Sequence, residues 1–291
     1  MERTFDTPAP VDLHVEISSG DVTVAAADTA QTIIEVVGRD ADDTRVEQSG
    51  RTISVIGPRQ GSGRIFGGAG GLRVTVSLPA GSDLSTRLGS ADLVTRGALG
   101  RCRLKTGSGD AKLGEAATAE AVSGSGNVSI ERLAGDLDAR AGSGDISVRQ
   151  RGGAARTVTG SGDVSIGTAE GPMTAKSGSG DVSVDRAAAD LSVTTASGDA
   201  SVRMMCRGTA QARTASGDVS VGVPSGTPVW TDISTISGDV GSRLESLGQP
   251  AQGQDYVELR LRTVSGDITV GHIGTTQPSA NPADGIPENI R

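Results

Sequence analysis

Aromatic residues are almost missing from this chain: 291 residues hold two Phe, one Trp and one Tyr. A globular core of that length normally draws much of its buried area from such rings, so a thick conventional core is excluded. Histidine is nearly as scarce. His14 and His272 lie near opposite ends, which leaves no His-based catalytic dyad and no His-rich metal site to assemble. Basic excess is also lacking, with a net charge of −8, and this argues against a nucleic-acid partner. The acidity is dispersed and reads as solubilising charge. No run approaches the roughly 18 apolar residues of a membrane helix, so no transmembrane segment is expected. The opening Met1 to Pro8 lacks the apolar stretch and cleavage site of a secretory signal. Together these absences predict a cytoplasmic protein without a cofactor.

Glycine is abundant instead, at 43 residues, and it recurs in register. Ser-Gly-Asp, with one Ser-Ala-Asp and one Ser-Gly-Asn, ends at Asp92, Asp110, Asn127, Asp145, Asp163, Asp181, Asp199, Asp218, Asp239 and Asp267. Successive gaps are 18, 17, 18, 18, 18, 18, 19, 21 and 28 residues. A fixed short period means one supersecondary unit stacked on itself.

After each acidic or amide residue comes a Φ-Ser-Φ alternation, as in Asp163-Val164-Ser165-Ile166. Period two makes this a short strand with its aliphatic residues inward. A second alternating segment lies eight and six positions before the turn, as in Cys102/Leu104, Leu137/Ala139 and Leu191/Val193. Each coil therefore has two strands, a Gly-rich turn on one side and a looser arc on the other. Stacked coils give parallel sheets, right-handed winding being the favoured hand. The prediction is an all-β, single-domain parallel β-solenoid with coils of about 18 residues. Residues 1–84 form irregular β coils and a cap, residues 85–223 the regular stack, residues 224–274 irregular C-terminal coils and a cap, and residues 275–291 a disordered tail. Phe5 and Phe66 fall in the first part, Trp230 and Tyr256 in the third, so the end caps contain the aromatics.

Three constellations could carry chemistry. The first is the carboxylate row Asp110, Asp145, Asp163, Asp181, Asp199 and Asp218, because stacked Gly-rich turns with Asp hold calcium in nonapeptide-repeat proteins. Neighbouring charges about 4.8 Å apart repel by roughly 0.9 kcal/mol in water. A turn hydrogen bond to nearby backbone N–H, worth about 1 kcal/mol, offsets that without a metal. Asn127 and the Ser90-Ala91-Asp92 variant fit such a structural turn, and that reading is preferred for all ten positions. The second is an outer hydroxyl row, Ser129, Ser147, Ser165, Ser183, Ser201 and Ser220, with Thr95 and Thr269 placed at its ends. It is a candidate interaction face, although Ser also suits a solvated strand beside small neighbours. The third is the cysteine pair. Six coils at about 4.8 Å put Cys102 and Cys206 about 28 Å apart, so they are expected to be free thiols. Cys102 falls inward by register and Cys206 in an arc, neither beside a base. The run Gly61 to Gly71 lacks the Gly-Lys-Ser/Thr ending of a phosphate loop and reads as a connecting loop. No catalytic residues are assigned, since uniform short coils lack the cleft of β-helical polysaccharide enzymes.

The opening Thr4-Phe5-Asp6-Thr7-Pro8, the segment Leu78-Pro79-Ala80-Gly81-Ser82-Asp83, the step Cys102-Arg103-Leu104-Lys105-Thr106, the repeats, Trp230-Thr231-Asp232 and Val257-Glu258-Leu259-Arg260 together resemble a family. It is the actinobacterial β-strand-repeat family labelled "putative adhesin". The resemblance covers roughly residues 3 to 273 and implies a β-solenoid, also called a toastrack domain. In some relatives it implies attachment to membrane segments and a link to cell-envelope stress; it brings no catalytic residues. The expectation is a non-enzymatic scaffold or interaction protein with an unidentified protein partner, its solenoid ends offering a route to self-association. The alternatives are a surface or secreted glycan-binding adhesin and a calcium-stabilised repeat module.

Overall fold

The computed structural model describes residues 1–58, 71–245, 248 and 252–273. The expected tail at 275–291, Phe66 and all but the last residue of the Gly61 to Gly71 run lie outside the described residues. Every helix or strand described is a strand, 26 in all. None of the described residues forms a helix long and apolar enough to cross a membrane.

The regular coil is best seen at residues 137–151. Strand Leu137–Ala141 runs to a turn at Gly142 to Asp145, and strand Ile146–Arg151 leads away from it. Eighteen residues on, the pattern repeats and pairs in parallel, Leu137 with Ala155 and Ile146 with Val164. Two parallel ladders thus run the length of the stack. Their inner faces are lined by Val, Ile, Leu and Ala, including Ile130, Ile146, Ile166 and Val184, all essentially buried. The alternation causes this: in an extended chain every second side chain points to one face, and only small or aliphatic side chains fit between ladders this close. The one 17-residue gap, Asp110 to Asn127, falls on a coil without an arc. There both strands merge into Ala111–Ser123, which pairs with both ladders.

The ends depart from sequential stacking. At the C-terminus the coil made by Val257–Ser265 and Ile268–Ile273 sits between Gly208–Ser216/Val219–Pro224 and Val229–Ser237/Val240–Arg243. The last strands in sequence are therefore not the last in space. The N-terminus mirrors this: Asp12–Ile17 and Gly20–Ala27 lie between Thr52–Ile56/Leu72–Pro79 and Asp83–Leu88/Asp92–Arg96. Insertion gives the strands of both inserted coils two paired edges, so neither coil frays as a free edge would.

Beyond the outermost N-terminal coil the sheet continues with antiparallel strands. Arg45–Ser49 pairs with Thr52–Ile56, Gln31–Val37 with Leu72–Pro79, and Glu2–Asp6 with Gln31–Val37. Phe5 packs against the core there, half-buried. Trp230 and Tyr256 lie in the C-terminal coils but plug nothing, being about half exposed at 55% and 48%.

Candidate functional site

The ten acidic or amide residues form one unbroken column. The Oδ1 of each accepts the backbone N–H of the next coil's equivalent, from Asp92 to Asp110 (2.8 Å) through Asp163 to Asp181 (2.8 Å). All nine steps are made, at 2.8–2.9 Å. At the C-terminal end the column follows space rather than sequence, passing from Asp218 to Asp267 and then to Asp239. The sequence predicts these bonds inside each turn; the structure has them between coils. A charge-assisted bond of this kind exceeds the roughly 0.9 kcal/mol neighbour repulsion. Asn127 does the same work with its amide oxygen, accepting Asp145 N–H at 2.9 Å. Among the described residues no group of three or more His, Cys, Asp or Glu is placed to hold a metal.

Because only an acceptor oxygen is required, Asp163→Asn is expected to leave stability within about 0.5 kcal/mol. Asp163→Ala strands the Asp181 N–H and should cost about 1 to 2 kcal/mol in urea unfolding. Equal effects of the two changes would remove the column from the account of stability.

Two further columns escaped the sequence reading. Asp83, Asp136 and Asp190 repeat the device at the arc, taking the N–H of Arg101, Ala154 and Thr209 at 2.8–2.9 Å. Inside the turn edge stands a hydroxyl row, buried except at half-buried Thr235. Thr159 accepts the N–H of Gly162 (3.0 Å) and donates to Gly144 of the preceding coil (3.2 Å). Ser177, Thr195, Thr214, Thr263 and Thr235 donate likewise to the glycine carbonyls of their neighbours. These hydroxyls satisfy turn groups that water cannot reach. The signal was available: a Ser or Thr recurs four residues before most of the turns.

The outer row Ser129, Ser147, Ser165, Ser183, Ser201 and Ser220 pairs residue for residue along one ladder. All but half-buried Ser129 are exposed, and Ser220 and Ser201 hydrogen-bond at 3.1 Å. Thr269 continues the row beside Ser220. Thr95 does not belong to it: it is buried and accepts Gly114 N–H at 3.0 Å, while Val94 and Lys112 hold the outward register. The cause is position: Thr95 stands three residues after Asp92, the inward place of Ile166 after Asp163, whereas the serines stand two after theirs.

Both cysteines are free thiols. Burial, helped by the charge of Asp83, pushes the Cys102 thiol up to about 12, so little of it is nucleophilic thiolate near neutrality. Cys206 is half-buried. In the native protein a thiol reagent is expected to label at most Cys206, and both after denaturation. Rapid native labelling of Cys102 would contradict its placement.

Among the described residues one inward position carries a charge. Ala116, Leu133, Arg151, Ala169, Ala187 and Met205 succeed one another in register at a corner of the coil. Arg151 is 2% exposed there. It borders a groove of about 570 Å³ whose wall includes Leu99, Ala116 and Leu133, with Glu115 and Arg132 paired at its rim. Its terminal nitrogens donate to Gly153 (2.6 Å), Gly171 (3.0 Å) and Pro172 (3.2 Å) carbonyls, while Nε has no partner.

Coils sewn together by repeated side-chain acceptors, with parallel ladders on either side of a thin core, define a β-solenoid of the toastrack class. A family model described as Toastrack DUF4097 matches residues 11–271, and the chain belongs to that family. No curated protein matches it in sequence. Among solved structures, a "putative adhesin" from Parabacteroides distasonis is similar at 13% identity and a TM-score of 0.49, covering 94% of this chain and 96% of that one. A "putative adhesin" from Bacteroides fragilis has 12% identity and a TM-score of 0.41, with 94% and 96% covered. A "putative lipid binding protein" from Parabacteroides distasonis has 12% identity and a TM-score of 0.38, over the same shares.

Proposed function

We propose that this protein is a non-catalytic interaction scaffold that presents its outer faces to a protein partner, working in the cytoplasm within cell-envelope stress signalling. The observation that carries the reading is the hydroxyl row. Six serines stand in strict register on a ladder with a repeat of about 4.8 Å. A partner whose own groups repeat at that spacing, such as the successive strands of another sheet, meets the same donor and acceptor at every step. The columns behind the row hold those groups rigid, so little entropy is lost on contact.

The test is a photo-crosslinking residue at Ser165 in living cells, with and without Ser147→Arg and Ser183→Arg. One specific protein captured in the first case and lost in the second supports the scaffold. Carbohydrate captured instead, from protein exposed at the cell surface, would replace this reading with the glycan-binding adhesin. No specific product would overturn the partner face. Melting with added Ca²⁺ and with EDTA tests the calcium-stabilised alternative, and equal midpoints are expected.

A further inference from the structure

The two ends of the stack are finished differently. At the N-terminal end the coil edge is covered by antiparallel strands whose exposed residues include Glu2, Arg3, Arg45 and Glu47. Charges on an edge strand are a standard defence against pairing with another chain. At the C-terminal end, strand Val229–Ser237 pairs with Val257–Ser265 on one side and, among the described residues, with nothing on the other. Its single charged residue, Asp232, is already held by Arg262 of the neighbouring strand at 3.1 Å. Behind it the core stands open. Val240 falls in register with fully buried Ile268, yet is 48% exposed because no coil follows.

Exposed apolar side chains concentrate at this edge. Ala196, Ala215, Val264 and Ile236 precede the Ser-Gly-Asp turns of the last coils in spatial order. Their size grows toward the end, and Ile236 is 82% exposed. Trp230, on the same outer face of the edge strand, is 55% exposed.

These residues are placed symmetrically within the strand. Ile233 is its middle residue, with Trp230 three positions before and Ile236 three after. From this symmetry we infer that the protein forms a closed two-fold dimer through antiparallel pairing of Val229–Ser237 with its own copy, centred on Ile233. In that register Ile233 meets Ile233 of the second copy on the core side, and Thr231 meets Thr235. On the outer face Trp230 meets Ile236 twice, an aromatic–β-branched cross-strand pair of a favourable type. Asp232 falls opposite Ser234, so no like charges face each other. The register keeps inward residues against inward ones, as sheet pleating requires. The same patch on both partners closes the assembly at two. This dimer makes no use of the serine face and stands whether or not that face binds a partner.

The full chain in light scattering after size exclusion should show twice 29.1 kDa, dissociating on dilution. Ile236→Asp changes an exposed side chain and appears twice in the interface, so it should weaken the dimer roughly 100-fold or more with an unchanged circular dichroism spectrum. A second readout reports the register. In a Cys206→Ser background, Ile233→Cys should form an intermolecular disulfide on mild oxidation, since directly paired strands bring the two Cα atoms to about 4.5–5.5 Å. Ser237→Cys should not. A monomer at all concentrations, a dimer indifferent to Ile236→Asp, a ladder of higher oligomers, or crosslinking of Ser237→Cys alone would each overturn the inference.

Discussion

Replacing Gly162 with alanine should cost about 3 to 4 kcal/mol, far more than one methyl group on a turn normally does. The reason is space rather than backbone conformation. A Cβ at Gly162 would press on the carbonyl oxygen of Gly144 in the preceding coil and lie 2.6 Å from its carbon and 3.0 Å from Asp145 N. None of these atoms is the end of a flexible side chain. They are backbone, held by the bond from Asp163 N–H to Asp145 Oδ1 and by the Thr159 hydroxyl. The neighbouring coil can yield only by breaking its own column, and strain in one interface of a stack passes to the next. Gly109, Gly126, Gly144, Gly180 and Gly198 repeat the same approach to the coil before them. Gly226 is the control. It has φ +81° and nothing within 4 Å of a Cβ, so Gly226→Ala should cost only about 1 kcal/mol of backbone strain. Equal shifts for the two variants in guanidinium unfolding would mean that close coil approach does not require the glycine column.

The same geometry explains what could be read from the sequence. An eighteen-residue period with alternating aliphatics fixes two strands per coil and their inward faces, because pleating leaves no other assignment for Val164/Ile166 or Leu137/Ala139. It fixes neighbours only while the gaps stay constant. Between Asp218, Asp239 and Asp267 the connections lengthen, and the local pattern around Val240 fits the coil edge of Val219 as well as that of Ile268. The reversal of the last two coils, and its counterpart at Asp12–Ile17, therefore leaves no trace in the strands themselves. The acceptor columns were hidden for a related reason. An Asp after Ser-Gly suits a bond within its own turn as well as one to the next coil, and only the register distinguishes them. Arg151 carries no signal in the sequence because the alternation marks inward residues next to the turn, whereas its column runs six residues beyond it.

Arg151 carries the second large effect. A guanidinium under the surface costs several kcal/mol in lost hydration. Burial pulls its ionisation down from the usual arginine range to about 10, so it remains charged at neutral pH. Three carbonyl acceptors, on Gly153, Gly171 and Pro172, offset the cost by tying two successive arcs together. Arg151→Ala removes those donors and opens a void between Leu133 and Ala169, and should lose about 3 kcal/mol. Arg151→Met keeps most of the volume and removes the desolvated charge, so its loss should stay near 1 kcal/mol. The pH dependence has a definite sign. A cation whose folded-state value lies below its unfolded one holds fewer protons when folded, so its contribution rises with pH above about 10 and is constant below. The gap between wild type and Arg151→Met should therefore be flat from about pH 6 to about pH 9. Equal losses for Ala and Met would assign the whole effect to the hydrogen bonds. A stability gain with Ala would show that the arcs do not need the guanidinium.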